Sequence, residues 1–172
     1  RPRGRRLAHP RVSDELGAFH FDLRSPDAYP AAERVLQVLP IAAEWTPIRS
    51  AELPAADTWE GFRCQADRDA ALERVERSAA ARGLQPVRWP DPFPYDSENA
   101  LRAATYAKTT GRAVAFSLAA FRQAFAGGRA LDETTILLAG AACELHPRAL
   151  QQALGRDAVA RQLAEATAQA QD

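Results

Sequence analysis

The chain reads as an α/β protein in which a short β-α-β unit leads into a block of helices. Three observations predict this. Phe19, Phe21 and Leu23 alternate with His20 and Asp22, which is the two-residue period of a strand. A Ser25-Pro26 break follows at once and opens a helical stretch, and a second strand-like run comes at Ala43 to Arg49. From Arg63 to about Ala168 the apolar residues then recur at helical spacing.

Ser25 is a favoured N-cap residue, and Pro26 suits the first helical position, where a missing N–H costs nothing. The helix is expected to run to about Leu39, with Pro30 still near the tolerant first turn. Trp45 and Thr46 favour a strand, and Pro47 places it at an edge or near its own end. Strand, helix, strand implies a parallel pair with a right-handed crossover. Ser50 to Gly61 is a loop. Leu72, Val75 and Ala79 mark the next helix, which Gly83 stops as a C′ residue would.

Pro86 to Pro94 is a proline-punctuated loop holding Trp89 and Phe93. Asp96 or Ser97 caps a helix through Ala107, interrupted at Gly111. Val114, Leu118, Phe121 and Phe125 form the clearest apolar stripe, ended by Gly127-Gly128. Asp132 caps a further helix with Ile136, Leu137, Ala141 and Leu145 facing inward. Two more helices are expected over 147–154 and from Arg156 to about Ala168.

The chain has 172 residues, enough for a domain with its own core. Its 22 basic and 22 acidic residues balance, so nothing points to nucleic acid or an acidic membrane surface. No apolar run approaches a membrane span. Residues 1–16 read as a flexible basic tail without the apolar core of a signal peptide. Lys108 is the only lysine among many arginines and alanines, a composition expected of a GC-rich bacterial genome. Cys64 and Cys143 are far apart and form no Cys-x-x-Cys, which suits a reducing cytoplasm. His9, His20 and His146 are scattered, so no metal spacing exists and no metal is expected. Phosphate-loop, dinucleotide-loop and nucleophile-elbow motifs are absent too.

Phe21-Asp22-x-x-Ser25-Pro26-x-Ala28-Tyr29 resembles the opening of the 2-hydroxychromene-2-carboxylate isomerases. These form a DsbA-like branch of the thioredoxin superfamily, related to the kappa-class glutathione transferases. Trp89-Pro90-Asp91-Pro92-Phe93-Pro94, Ala113-Val114-Ala115-Phe116, Leu118 and Phe121-Arg122 extend the resemblance from about Gly17 onward. It implies a thioredoxin-like β-α-β part (17–60), an inserted helical domain (61–155) and the start of a return to the thioredoxin-like part (156–172). In that family a strand-strand-helix segment opening on a Val-Pro step follows the last helix. This chain ends at Asp172 ahead of such a segment, so the expectation is that the C-terminal part of the sheet is missing.

The resemblance also implies the function: a glutathione-type thiol-dependent isomerase or transferase acting on a small molecule, with a homodimer allowed. Glutathione or another low-molecular-weight thiol would be the cofactor. Ser25 would hold its thiolate, with Pro26, Asp27 and the backbone N–H groups near residues 26 to 28 beside it. Trp89 and Phe93 are the candidate substrate-pocket residues. Against each stands a plainer reading: Ser25 as a helix cap, and the two aromatics as pins that fasten their loop to the helices. Asp27 departs from the family's Tyr or Phe, and a carboxylate there opposes a negative sulfur. The family's Asn and Lys are also absent between residues 50 and 70, leaving Arg49, Arg63 or Arg68 for any cationic role. Ser25 and Ala28 stand where disulfide exchange needs thiols. The alternative function is a non-catalytic binding module on the same scaffold.

Overall fold

A computed structural model describes residues 17–39, 42–54 and 59–171. The tail expected over 1–16 lies outside the described residues. Strand β1 (Ala18–Phe21) is followed by helix α1 (Ala28–Val38) and strand β2 (Glu44–Pro47). The two strands pair in parallel, Phe19 against Trp45 and Phe21 against Pro47. Among the described residues six α-helices follow: α2 (Gln65–Ala80), α3 (Glu98–Thr109), α4 (Ala113–Phe121), α5 (Glu133–Ala142), α6 (Pro147–Leu154) and α7 (Asp157–Gln169). The β-α-β start and the helical block thus form as the periodicities predict.

The core begins on one face of this small sheet. The Phe19 and Trp45 rings lie 4.9 Å apart and those of Phe21 and Trp45 5.7 Å, both edge to face. Phe21 continues to Phe121 of α4 at 5.9 Å, and Tyr29 of α1 stacks on Phe125 at the same separation. Each large ring buried this way contributes roughly 2 kcal/mol by removal of its apolar surface from water. The opposite sheet face leaves Ala18, His20 and Glu44 exposed. Helix α3 is central to the helical block because it is small: Ala100, Ala103, Ala104 and Ala107 are fully buried, which lets α4, α6 and α7 approach it closely.

Three expectations need correction. Helix α1 starts at Ala28, and the Ser25 side chain does not cap it; the chain makes two successive turns first, Ser25 N–H to Asp22 O and Ala28 N–H to Ser25 O. In α4 the buried face is Phe116, Ser117, Ala120 and Phe121, while Val114 and Leu118 sit at its margin. Beyond α4 the helix widens into a π turn over Arg122–Ala126, where Gly127 N–H bonds back to Arg122 O at 2.8 Å. In α5, Ala141 is exposed, and Ala139, Gly140 and Cys143 face inward with Ile136. At the next helix junctions the expected signals do operate. Asp132 accepts the Thr135 N–H at 2.8 Å, and Gly83 adopts the left-handed φ of +68° that ends α2.

Candidate functional site

The site is built around the turn that joins β1 to α1, and Asp22 fixes that turn. Asp22 is buried, yet each carboxylate oxygen is fully engaged. Oδ1 accepts the Arg24 N–H at 3.0 Å and the Ser97 hydroxyl at 2.9 Å. Oδ2 accepts the Ser50 N–H at 3.0 Å and the Ser50 hydroxyl at 2.8 Å. One side chain therefore ties the end of β1 to the loop after β2 and to the start of α3. Beside it, the Tyr95 hydroxyl donates to Leu23 O at 2.7 Å. Burial, helped by the negative Asp22, pushes the Tyr95 phenol well above its usual range, so it remains a donor.

This clamp presents Ser25, which is half-buried and follows Arg24 in the turn. Its N–H and C=O are spent on the two turns described above. Its hydroxyl has no hydrogen-bond partner among the described residues. Of the backbone donors expected nearby, Pro26 has none and Ala28 N–H is taken by Ser25 O at 3.2 Å. Only the Asp27 N–H is without a partner among the described residues, a narrower donor set than expected. The Asp27 carboxylate is about half exposed and pairs with Arg74 of α2 at 3.1 Å, so its charge is partly offset.

Arg74 also links the turn to an aromatic wall, its guanidinium carbon lying 5.8 Å from the Trp59 ring centre. Trp59 is buried and contacts Phe62, Trp89 and Phe93 at 5.7 to 6.0 Å. In front of Trp59 a cleft of about 420 Å³ is lined also by Phe62, Cys64, Arg68 and Pro94. Among the described residues the Arg68 side chain has no carboxylate partner; its one hydrogen bond there is of 3.4 Å to Phe93 O. Trp89 and Phe93 stand behind this lining. Trp89 donates from its indole to Glu76 at 2.7 Å, and Phe93 packs on Tyr95 and Phe125. Arg49 is committed elsewhere: it grips Glu98 with two bonds of 2.7 and 2.9 Å. Both cysteines are free, Cys64 exposed and Cys143 buried, and burial raises the Cys143 thiol's pKa.

Sequence reasoning missed Asp22, Ser50, Ser97 and Tyr95 as the supports of the turn. Asp22 carried a usable signal, since an Asp two residues before a turn can accept the N–H of the residue two on. The long-range partners carried none. Trp59 was missed because its surroundings read as loop. Among the described residues no group of three or more His, Cys, Asp and Glu is placed to hold a metal. No helix among them is long and apolar enough to cross a membrane.

Comparison with known proteins agrees with this architecture. No curated protein sequence matches the chain. Among solved structures, a 2-hydroxychromene-2-carboxylate isomerase superposes with a TM-score of 0.76 at 21% identity, over 89% of this chain and 77% of that one. A probable DsbA oxidoreductase from Streptomyces coelicolor superposes with a TM-score of 0.68 at 19% identity, over 88% and 72%. At these identities the likeness is one of fold. The family description "DSBA-like thioredoxin domain" matches residues 18–172. With a parallel β-α-β unit, a helical block after it and a family match that spans residues 18–172, the chain belongs to the DsbA-like thioredoxin domain family.

Proposed function

We propose that this protein is a thiol-dependent isomerase or transferase for a small molecule, resembling the isomerase whose fold it shares. The observation that carries the reading is the Ser25 hydroxyl, half-buried on a clamped turn and bonded to nothing among the described residues. Helix capping would have occupied it, and it caps nothing. A free donor held in place there fits the sulfur of glutathione or another low-molecular-weight thiol.

When bound, such a thiol supplies a nucleophile that can add to an electron-poor double bond and leave again. The chain's own part is to hold it. A hydrogen bond from Ser25 favours the charged sulfur over the neutral one and lowers its pKa. The Asp27 N–H adds a second donor, and Arg74 reduces the opposing charge of the Asp27 carboxylate. The cleft before Trp59 offers flat apolar walls to a substrate, with Arg68 at its edge. Dithiol exchange has less support, because neither Ser25 nor Ala28 is a thiol and Cys64 and Cys143 are unpaired. A reducing cytoplasm and a homodimer are part of the same proposal.

The deciding experiment is calorimetric titration of glutathione into the wild-type protein and into Ser25→Ala. Saturable binding weakened about tenfold by the mutation, as expected for one hydrogen bond to a charged sulfur, supports the proposal. Binding that ignores the mutation removes Ser25 from the site. No binding of glutathione or other small thiols to the folded protein leaves a non-catalytic binding module.

A further inference from the structure

A second cavity, of about 300 Å³, opens where α1, the π turn and the segment after α2 meet. It shares no lining residue with the cleft before Trp59. Tyr29 and Glu33 line it from α1, Arg122 and Ala126 from the π turn, and Gly83, Leu84 and Gln85 from the segment after α2. We propose that this cavity binds a small monocarboxylate, held by the Tyr29 hydroxyl and the unused N–H groups of Arg122.

Tyr29 carries the argument. It is 2% exposed, its ring stacked on Phe125 and tilted against Phe121. Its hydroxyl nevertheless has no hydrogen-bond partner among the described residues. The hydroxyl is not one of the fully buried unpartnered atoms, which are Trp45 Nε1 and Ser117 Oγ, so it is open to the cavity that Tyr29 lines. Here the cavity that Tyr29 lines is where a partner can arrive. Glu33 and Arg122 line the same cavity.

The pair sets the charge of the ligand. Arg122 holds the largely buried Glu33 carboxylate with its Nε at 2.6 Å and its Nη2 at 2.7 Å. A guanidinium has five N–H groups, so Nη1 keeps both of its own and Nη2 keeps one. Arg122 remains more than half exposed, so these donors are accessible. A phenol O–H and a guanidinium N–H suit the two oxygens of one carboxylate. Glu33 beside them opposes a second negative charge, which disfavours phosphate monoesters and dicarboxylates. Leu84 and Ala126 add apolar wall beside Gln85, which suits a ligand whose remainder is a short hydrocarbon chain. The π turn that presents Arg122 is itself a rare local geometry, found frequently at functional positions.

The test uses butyrate as probe and does not depend on the thiol site. Saturation-transfer NMR and calorimetry on the whole protein should show saturable butyrate binding, and butyramide of the same shape should bind at least about tenfold more weakly, since it lacks the charge that strengthens such bonds. Tyr29→Phe keeps the ring and its stacking, and should weaken binding about tenfold. Ser25→Ala should bind butyrate like wild type. The proposal is overturned if butyrate does not saturate, if Tyr29→Phe with unchanged circular dichroism binds equally well, or if inorganic phosphate displaces butyrate at equal concentration.

Discussion

Asp22 holds donors from three separate parts of the chain, and no apolar or amide side chain can do the same. Four hydrogen bonds converge on its two oxygens, with the Ser97 and Ser50 hydroxyls and two backbone N–H groups all donating. An Asn there turns one acceptor into a donor and faces it toward other donors. Asp22→Asn is therefore expected to lower stability by about 3 kcal/mol, near the upper end for bonds to a charged group. Urea unfolding measures this, and an unchanged midpoint would rule out Asp22 as the clamp. If Ser25 holds a thiol as proposed, the same variant should weaken that binding too, because the turn that carries Ser25 relaxes. Ser25 itself was legible from its Ser-Pro motif, but its freedom was not. Whether a hydroxyl caps a helix depends on where the helix begins, and here two turns intervene that local propensity does not distinguish from a first helical turn.

Among the elements, the π turn is the one that periodicity could not foresee. The stripe expected through Val114 and Leu118 is displaced already within α4, where Phe116, Ser117, Ala120 and Phe121 are the buried residues, and the π turn follows it. Its end depends on Gly127. A Cβ at that position would lie 2.6 Å from the Gln123 carbonyl oxygen, which already accepts the Arg129 N–H at 3.1 Å. Backbone on both sides cannot step aside as a flexible side chain would. Gly127→Ala should cost about 2 kcal/mol, in the range of overpacking, when its thermal unfolding is compared with wild type. A variant as stable as wild type would mean the π turn yields at little expense. The ordinary helices were predicted within a few residues, because caps such as Asp132 and stops such as Gly83 act through neighbours in sequence. The aromatic wall at Trp59 was not, because a loop residue with φ of +60° is placed by tertiary packing and no periodicity announces it.

Across the whole molecule, one ion-pair network fastens the sheet part to the helical block. Glu98, at the start of α3, takes two bonds from Arg49 after β2 and one of 2.8 Å from Arg102, which also donates to Leu154 O at the end of α6. Arg49 N–H in turn donates to Thr167 of α7 at 3.0 Å. The hydrogen bonds from Arg49 and Arg102 hold the Glu98 carboxyl down at about 2. Its folded pKa lies below the unfolded one, so the unfolded chain binds the proton first as pH falls. This stability is complete above about 4.5 and is lost progressively as pH falls toward about 2. The urea midpoint of wild type should decline through that window, and Glu98→Gln should start lower and lose less there; parallel declines would show that other carboxylates govern acid unfolding. None of these long-range pairs was visible in the sequence, since Arg49 and Glu98 each read locally as surface charge.

The Asp22 clamp also has a consequence in time. Its partners stand 28 and 75 positions further along the chain. Contacts closed over such long loops are entropically costly to form early and mature late in folding. While the polypeptide is still emerging from the ribosome, Ser25 is present well before Ser97, so the serine exists for a time without the scaffold that orients it. A site built on this turn, as the proposed thiol site is, would be assembled only after the helical block has condensed.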